Sequence, residues 1–440
     1  MFFNEIMETL SKQEMEKIQL SRLQQTVRTV YNKTPFYQKK FTELNVKPND
    51  IQSLEDIRKL PFTQKKDLRD NYPFDLFALP ISHVERIHAS SGTSGKPTVV
   101  GYTRNDLEVW AEIVARAIAA CGGEPDSVLQ NTFGYGLFTG GLGLHYGSEK
   151  LGMATVPVSG GNTERQILLI EDFKPTVIVG TPSYILNIAD KMEQLGKDAR
   201  DTSLKYGIFG AEPWSEEMRK ELEKRLGIKA MDIYGLSEVM GPGISFECLE
   251  AQCGLHVADD HFYIEVIDPD TLEPVAEGEE GELVFTSLTK EAFPIIRYRT
   301  GDIASITSET CICGRTTTRM SRVKGRIDDM LIIRGVNVYP SEVESALLEL
   351  EELVPHYQLY VVNQGALDKV ILKVEINESI YNNLNRNLEH ETIKALANKV
   401  FQQLKSKCLI SVDINIEHPG SIPRSGGKAI RIVRDTKMKV

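Results

Sequence analysis

Three short apolar runs in this chain each end in a glycine-bearing loop, and the first two loops lead into a helical stretch. Thr176-Val177-Ile178-Val179 runs into Gly180-Thr181-Pro182, and a helical pattern follows through Leu195. Tyr206-Gly207-Ile208-Phe209 runs into Gly210-Ala211-Glu212-Pro213, with a second helical pattern from about Ser215 to Leu226. Ala230-Met231-Asp232-Ile233 runs into Tyr234-Gly235-Leu236-Ser237-Glu238. Short apolar strands alternating with helices predict a parallel sheet covered on its faces. Ligands of such sheets sit beyond the carboxyl ends of the strands, so all three loops are expected to open toward one crevice.

Upstream lies Ser90-Ser91-Gly92-Thr93-Ser94-Gly95-Lys96-Pro97. Glycines let a backbone turn its N–H groups inward, and free amides with hydroxyls make a cradle for a polyanion. The spacing is not that of a Walker A loop, because only two residues separate Gly92 from Gly95 and Pro97 follows the lysine. A strand is expected from Thr98 to Thr103, and Thr103 caps a helix carrying Leu107, Trp110, Ile113, Val114 and Ile118 inward. Glycines mixed with aromatics over 131–147 predict backbone packed close to a ligand or to another element. Gly141-Leu142-Gly143 does not complete a dinucleotide fingerprint, since Tyr146 stands where the third glycine belongs, and His145 reads as a packing histidine rather than a catalyst. Residues 1–88 read as scaffold, with Ser11 capping one helix and Thr63 capping a short one through Asp70.

From about Asp259 the pattern turns to β, with Phe262-Tyr263-Ile264-Glu265-Val266-Ile267 and Gly281-Glu282-Leu283-Val284-Phe285 as strands of a small barrel or distorted antiparallel sheet. Residues 325–340 look like a boundary. Beyond them Ser341 and Glu344 have capping-box spacing, 370–376 reads as a strand, and Ile393, Leu396, Val400 and Leu404 mark a helix face. Ile410, Val412, Ile414 and Ile416 alternate as a strand, and the chain reaches the polar turn Pro423-Arg424-Ser425-Gly426-Gly427-Lys428. The expected fold is a large α/β N-terminal domain, with parallel sheets flanked by helices plus a small β subdomain, followed by a small α+β C-terminal domain. The boundaries expected are 1–327 and 328–440.

The length of 440 residues suits two to four domains, and 41% hydrophobic with 26% charged residues is the composition of an ordered chain. A net charge of −11 argues against a broad nucleic-acid footprint, but not against a small anionic substrate held by local amides and lysines. The N-terminus lacks the basic and apolar regions of a signal peptide, and no run approaches the ~18 apolar residues of a membrane span. The expectation is a cytoplasmic protein whose six cysteines are thiols or metal ligands rather than disulfides. Cys248, Cys253, His256, Cys311 and Cys313 form a candidate zinc set. Cys248, His256, Cys311 and Cys313 are the preferred four, with Cys253 competing for the fourth place.

Taken in order, Ser90 to Pro97, Gly210 to Pro213, Tyr234 to Glu238, Tyr298 to Asp302, Gly325 to Asn337 and Pro423 to Lys428 resemble the motifs of the adenylate-forming superfamily. Within it the chain is most similar to the phenylacetate–coenzyme A ligase family. The resemblance runs from Ser90 to the end of the chain. It implies a two-step reaction in which an aryl carboxylate, phenylacetate foremost, attacks the α-phosphate of ATP and coenzyme A then displaces AMP. The alternative is a relative acting on another aryl or alkyl acid, or passing the acyl group to a different acceptor. By the same resemblance Ser90, Ser91, Gly92, Thr93, Ser94, Gly95 and Lys96 would cradle the β- and γ-phosphates. Gly210, Ala211, Glu212 and Pro213 would wall the adenine, Asp302 with Arg326 would hold the ribose, and Tyr234, Gly235 and Ser237 would complete the ATP site. Glu238 would bind Mg²⁺, and Lys428 would bridge the attacking carboxylate and the α-phosphate. Tyr135, Phe138, Ala211 and Pro242 would line an acyl slot. Asp328 would be the hinge, and Arg334, Gly335 and Val336 would enter the site when coenzyme A reacts. Two departures are visible: Ser237 stands where many relatives carry threonine, and Thr98 where the wider superfamily often has lysine. The partners expected are small molecules only, with neither nucleic acid nor membrane, and a homodimer is left open.

Overall fold

The computed structural model describes residues 1–90, 97–333, 336–364 and 367–435. The N-terminal helix Lys12–Lys33 opens with a reciprocal cap, in which Ser11 Oγ accepts from the Glu14 N–H and the Glu14 carboxylate accepts from the Ser11 N–H. Thr63 does not cap the helix Lys65–Asp70 as the sequence predicts. Its fully buried hydroxyl donates to the Ile296 carbonyl at 2.7 Å and lies 3.0 Å from the Tyr37 hydroxyl, while Asp67 answers the Gln64 N–H. A buried hydroxyl must find partners, and the tertiary ones took precedence over the local one.

Strands β1 (Arg86–Ser90) and β2 (Thr98–Tyr102) form an antiparallel hairpin with Ser90 opposite Thr98. The capping box of Thr103 and Asp106 then starts the helix Arg104–Ala120. The main sheet contains β3 (Val128–Asn131), β4 (Ala154–Val156), β5 (Val177–Gly180), β6 (Tyr206–Gly210) and β7 (Lys229–Leu236), all parallel and ordered β4-β3-β5-β6-β7. All four residues of β5 are buried, as a strand covered on both faces requires. Beyond β7 the sheet turns antiparallel through β8 (Gly241–Phe246) and β9 (Leu255–Val257). A second, antiparallel sheet holds β10 (Phe262–Ile267), β11 (Gly281–Ser287) and β12 (Tyr298–Ala304). The short strands β13 (Ile306–Thr307) and β14 (Arg319–Met320) return to the main sheet at β9, and β15 (Gly325–Arg326) joins β12.

From Leu331 onward the chain builds its own hydrophobic cluster. The hairpin β16 (Leu331–Ile333) and β17 (Val336–Val338) leads into the helix Pro340–Leu348. A four-stranded sheet follows, in the order β20 (Asp413–Glu417), β19 (Leu367–Ile376), β18 (Leu353–Gln364), β21 (Ile432–Asp435). The helix Glu391–Lys407 covers it with Ile393, Leu396, Val400 and Leu404. The large unit is therefore α/β with an antiparallel β part, and the small unit α+β. Two local readings fail here. The strand starts at Asp413, although Ile410 and Val412 are buried as their alternation implies. The capping box at Ser341 does not form, because the helix already begins at Pro340 and Glu342 answers the Tyr339 N–H. Ser341 and Glu344 are thereby released to bond across to the large unit.

That unit-to-unit contact is polar at its rim and apolar at one point. Glu344 accepts from the Ser215 N–H and hydroxyl at 3.2 and 3.1 Å and pairs with Arg431 at 2.7 Å. Ser345 donates to Glu217 at 2.6 Å, and His356 Nε2 lies 2.8 Å from Asp190. Leu348 packs on the apolar cluster beneath the helices Pro182–Gln194 and Glu216–Leu226.

Candidate active site

The carboxyl ends of β5, β6 and β7 carry the loops that the sequence singled out. Gly235 permits the tight turn between β7 and β8, since a Cβ there would lie 1.9 Å from the Gly241 carbonyl oxygen. At Gly210 a Cβ would meet the Ile233 carbonyl at 2.1 Å. Ala211 follows in the left-handed region at φ 68°, and it and Pro213 are exposed, leaving a bare face for a flat ligand. The Glu212 side chain takes no part in that face, because its two carboxylate oxygens accept the N–H groups of Ser183 and Ala429 at 2.9 and 2.8 Å.

Asp302 on β12 sits opposite Arg326 on β15. It accepts from the Tyr234 hydroxyl at 2.7 Å and from Arg326 at 3.1 Å. Burial pushes its carboxyl upward from the ordinary value, against the pull of Arg326, the Tyr234 hydroxyl and the positive charge of Lys428. Ser237 Oγ is 2.9 Å from Thr139 Oγ1, which ties the β7–β8 turn to the helix Thr139–Leu151. Glu238 is 7% exposed, and no group among the described residues bonds to its carboxylate. A buried carboxylate without a donor is the arrangement a hard cation would complete, and it fits Mg²⁺.

The glycine-rich stretch of 131–147 becomes a loop followed by that helix. A Cβ at Gly143 would lie 2.6 Å from the Trp110 ring and 2.7 Å from Pro242, so the helix backbone presses on both. Trp110 donates to the Pro242 carbonyl at 3.1 Å and stacks on Tyr102, whose hydroxyl donates to the Met240 carbonyl at 2.5 Å. Tyr135 is half-buried, its hydroxyl 2.9 Å from Asn131 and 3.2 Å from His145 and pushed up to about 12 by burial. His145 also pairs with Glu149 at 3.1 Å, so it is fully engaged in packing. Phe138, half exposed, precedes the helix. Leu137 O accepts from the Ala89 N–H at 3.0 Å and stands 3.0 Å from His88 Nδ1, which stitches this loop to β1. Ser90 ends β1 with a buried hydroxyl that has no partner among the described residues, while Ser91, Gly92, Thr93, Ser94, Gly95 and Lys96 lie outside them.

Asp328 is in the 3₁₀ turn Ile327–Asp329, highly exposed, with Arg326 3.8 Å away. Val336 begins β17, and Arg334 and Gly335 fall outside the described residues. Lys428 is exposed in the loop before β21. The donor atoms of Cys248, His256, Cys311 and Cys313 all lie within 4.8 Å of one another. Cys253 is exposed and is not in this group. His256 keeps its second nitrogen 3.2 Å from the Thr317 hydroxyl, as ligating histidines do. The same loop is anchored to the N-terminal segment, for Arg315 donates to Glu8 at 2.6 Å and both side chains are 1% exposed.

The profile of the AMP-binding enzyme family matches residues 16–289, and that of the AMP-binding enzyme C-terminal domain matches 335–436. The phenylacetate-coenzyme A ligase of Escherichia coli (strain K12) is 53% identical over 97% of this chain and 96% of its own. That of Thermus thermophilus is 50% identical over 99% of this chain and all of its own. The chain belongs to the phenylacetate–coenzyme A ligase family. Solved structures of 2-hydroxyisobutyryl-CoA ligase, an adenylate-forming relative at 28–29% identity, cover 98% of this chain and are themselves covered to 91%. The postadenylation state in complex with R3-HIB-AMP superposes at a TM-score of 0.92, and the thioesterification state with 2-HIB-AMP and CoA at 0.72.

Several residues of this ligase-family crevice escaped the sequence reading. Trp110 was legible only as one apolar position of a helix, and its contact with Pro242 spans 132 residues. Thr181 stood in a loop already expected to face the crevice and Ser183 in the helical stretch after it, and their hydroxyls both reach the Gly427 carbonyl, at 2.9 and 3.3 Å. No helix among the described residues is long and apolar enough to cross a membrane.

Proposed function

We propose that this protein converts phenylacetate to its coenzyme A thioester through an acyl-adenylate, as an AMP-forming acid–CoA ligase. The observation that carries the reading is identity of about half to phenylacetate–CoA ligases over nearly the whole of both chains. In the first step a carboxylate oxygen bonds to the α-phosphorus of ATP and the bond to the pyrophosphate oxygen breaks. In the second the thiolate sulfur of coenzyme A attacks the acyl carbon and AMP leaves. Both steps bring an anion toward an anion, so charge compensation governs their rates.

We assign the roles accordingly. Asp302, backed by Arg326 and Tyr234, holds the ribose hydroxyls, and the bare backbone of Gly210 with Ala211 and Pro213 faces the adenine. Ser90 and the six residues after it hold the departing pyrophosphate. Glu238 would hold Mg²⁺, whose chemistry is to neutralise phosphate charge. Lys428 neutralises the attacking carboxylate and the α-phosphate together. Pro242, with Trp110 behind it, and Tyr135, Phe138 and Ala211 bound the acyl slot. Cys248, His256, Cys311 and Cys313 would hold a structural zinc, the four-donor S₃N set that this metal prefers. Residues 328–440 act as a lid turning at Asp328, and the higher TM-score with the postadenylation state supports placing the present arrangement on the adenylation side. The substrates ATP and coenzyme A suit a cytoplasmic location.

A coenzyme A-dependent AMP-release assay over a panel of acids tests the reading. Phenylacetate is expected to turn over faster than hexanoate or octanoate. Faster turnover of either fatty acid overturns the assignment of the slot.

A further inference from the structure

Lys428 is held from both sides by the large unit. On its amino-terminal side the Gly427 carbonyl accepts the hydroxyls of Thr181 and Ser183 at 2.9 and 3.3 Å. On its carboxyl-terminal side the Ala429 N–H donates to Glu212 at 2.8 Å. Thr181 and Glu212 come from the loops after β5 and β6 and Ser183 from the first turn of the helix after β5, so all three belong to the sheet edge that also carries the nucleotide loops.

The local chemistry of the helix Pro182–Gln194 explains how these residues became available. Thr181 is its N-cap, yet its side chain makes no capping bond. The usual task of an N-cap hydroxyl is to accept a free N–H of the first turn. Here the carboxylate of Glu212 does it instead, accepting the Ser183 N–H at 2.9 Å, while Pro182 has no N–H to satisfy. A carboxylate at a helix N-terminus is favoured by the helix dipole, so one oxygen of Glu212 is anchored whether or not the small unit is docked. Its second oxygen is then ready for Ala429. The close approach continues next door, where a Cβ at Gly160 would stand 2.6 Å from the Gly426 carbonyl.

We propose that Thr181, Ser183 and Glu212 are positioning residues that clamp the backbone on either side of Lys428 and serve adenylate formation alone. The inference rests on the reading of Lys428 given above. It reassigns Glu212 from the adenine wall to the interface between the two units. A clamp that exists only in the docked arrangement stabilises the first transition state and is silent once the small unit turns away. Interactions realised in one transition state only raise the rate of that step without altering ground-state affinity.

The test compares the two half-reactions in Glu212→Gln and Thr181→Val, which act on opposite sides of Lys428. ATP–pyrophosphate exchange with phenylacetate should fall about 10- to 100-fold in Glu212→Gln, the scale of a charge-assisted hydrogen bond. Thr181→Val should lose about 3- to 10-fold, the scale of a neutral one. Half-saturating ATP should stay within about 3-fold, because neither side chain faces the nucleotide. Thioester formation from supplied phenylacetyl-adenylate and coenzyme A should likewise stay within about 3-fold. In a Lys428→Ala background, adding Glu212→Gln should change the exchange rate by less than about 2-fold, since the clamp acts through the lysine. Equal loss in both half-reactions, or a full multiplicative loss in the Lys428→Ala background, overturns the clamp. Failure of Lys428→Ala itself to separate the half-reactions overturns instead the reading of that lysine. If either single variant fails to fold, the other decides.

Discussion

Glu212 and Glu238 stand near the ends of neighbouring strands and use their charge in different ways. Glu212 spends both oxygens on backbone N–H groups, whereas the buried Glu238 carboxylate has no donor among the described residues, which is the basis for proposing it as the cation ligand. Lys290 is a third buried charge close by, 4% exposed, with its ammonium 3.2 Å from the centre of the Tyr102 ring and 3.5 Å from the Met240 sulfur. Burial pushes its pKa down to about 7. Between pH 7 and 10 the unfolded chain therefore holds a proton that the folded one has released, so folding stability rises with pH across this window. Lys290→Met should be more stable than the wild type at pH 6.5. Its advantage should shrink by up to about 1.4 kcal/mol per pH unit toward pH 10, read from urea denaturation. An advantage that does not change with pH would mean that Lys290 is charged throughout.

At the scale of elements, the loop that carries Cys311 and Cys313 has almost no regular structure and is held by Arg315 and by the short strands beside it, to which the proposed zinc would add. The expected outcome for Cys311→Ser is loss of bound zinc by elemental analysis together with melting several degrees earlier, with the half-reactions retained below that temperature. Purified wild-type protein without zinc would sink the metal assignment. The elements also show what the sequence could carry. The strands β5, β6 and β7 were legible because apolar runs of that length ending in glycine have few other uses. Asp302 and Arg326 were legible only as motif members, yet a β ladder places them opposite each other. The roles of Thr63 and Glu344 were not legible. Their side chains had adequate local partners in sequence, and the choice of distant ones depended on which backbone groups the fold happened to bury. Glu212 is the extreme instance, since its two partners are main-chain N–H groups that no residue type announces.

For the whole molecule, the interface between the two units is built of charge-bearing hydrogen bonds rather than a broad apolar contact. Glu344 with Ser215 and Arg431, His356 with Asp190, and Leu348 on the helices beneath it make a surface that water can replace. Polar interfaces of this kind separate at low cost, which suits the proposed role of the small unit as a lid. Lys428→Ala should therefore abolish nearly all adenylate formation and leave thioester formation from supplied adenylate close to wild type, in single-turnover measurements of each step. An equal fall in both would show that the lid does not exchange the residues it presents to the crevice.

The ion pair of Glu8 and Arg315 joins positions 307 residues apart. A ribosome adding about 5–20 residues per second would make Arg315 on the order of 15–60 s after Glu8. For that interval the Glu8 carboxylate lacks its buried ion-pair partner and has only the local N–H groups of Phe3 and Asn4. The cysteine loop and the N-terminal segment must then close on each other late, after most of the sheet is already in place. Nascent chains halted before residue 315 should be cut by protease within the first ten residues, and chains released beyond it should be protected.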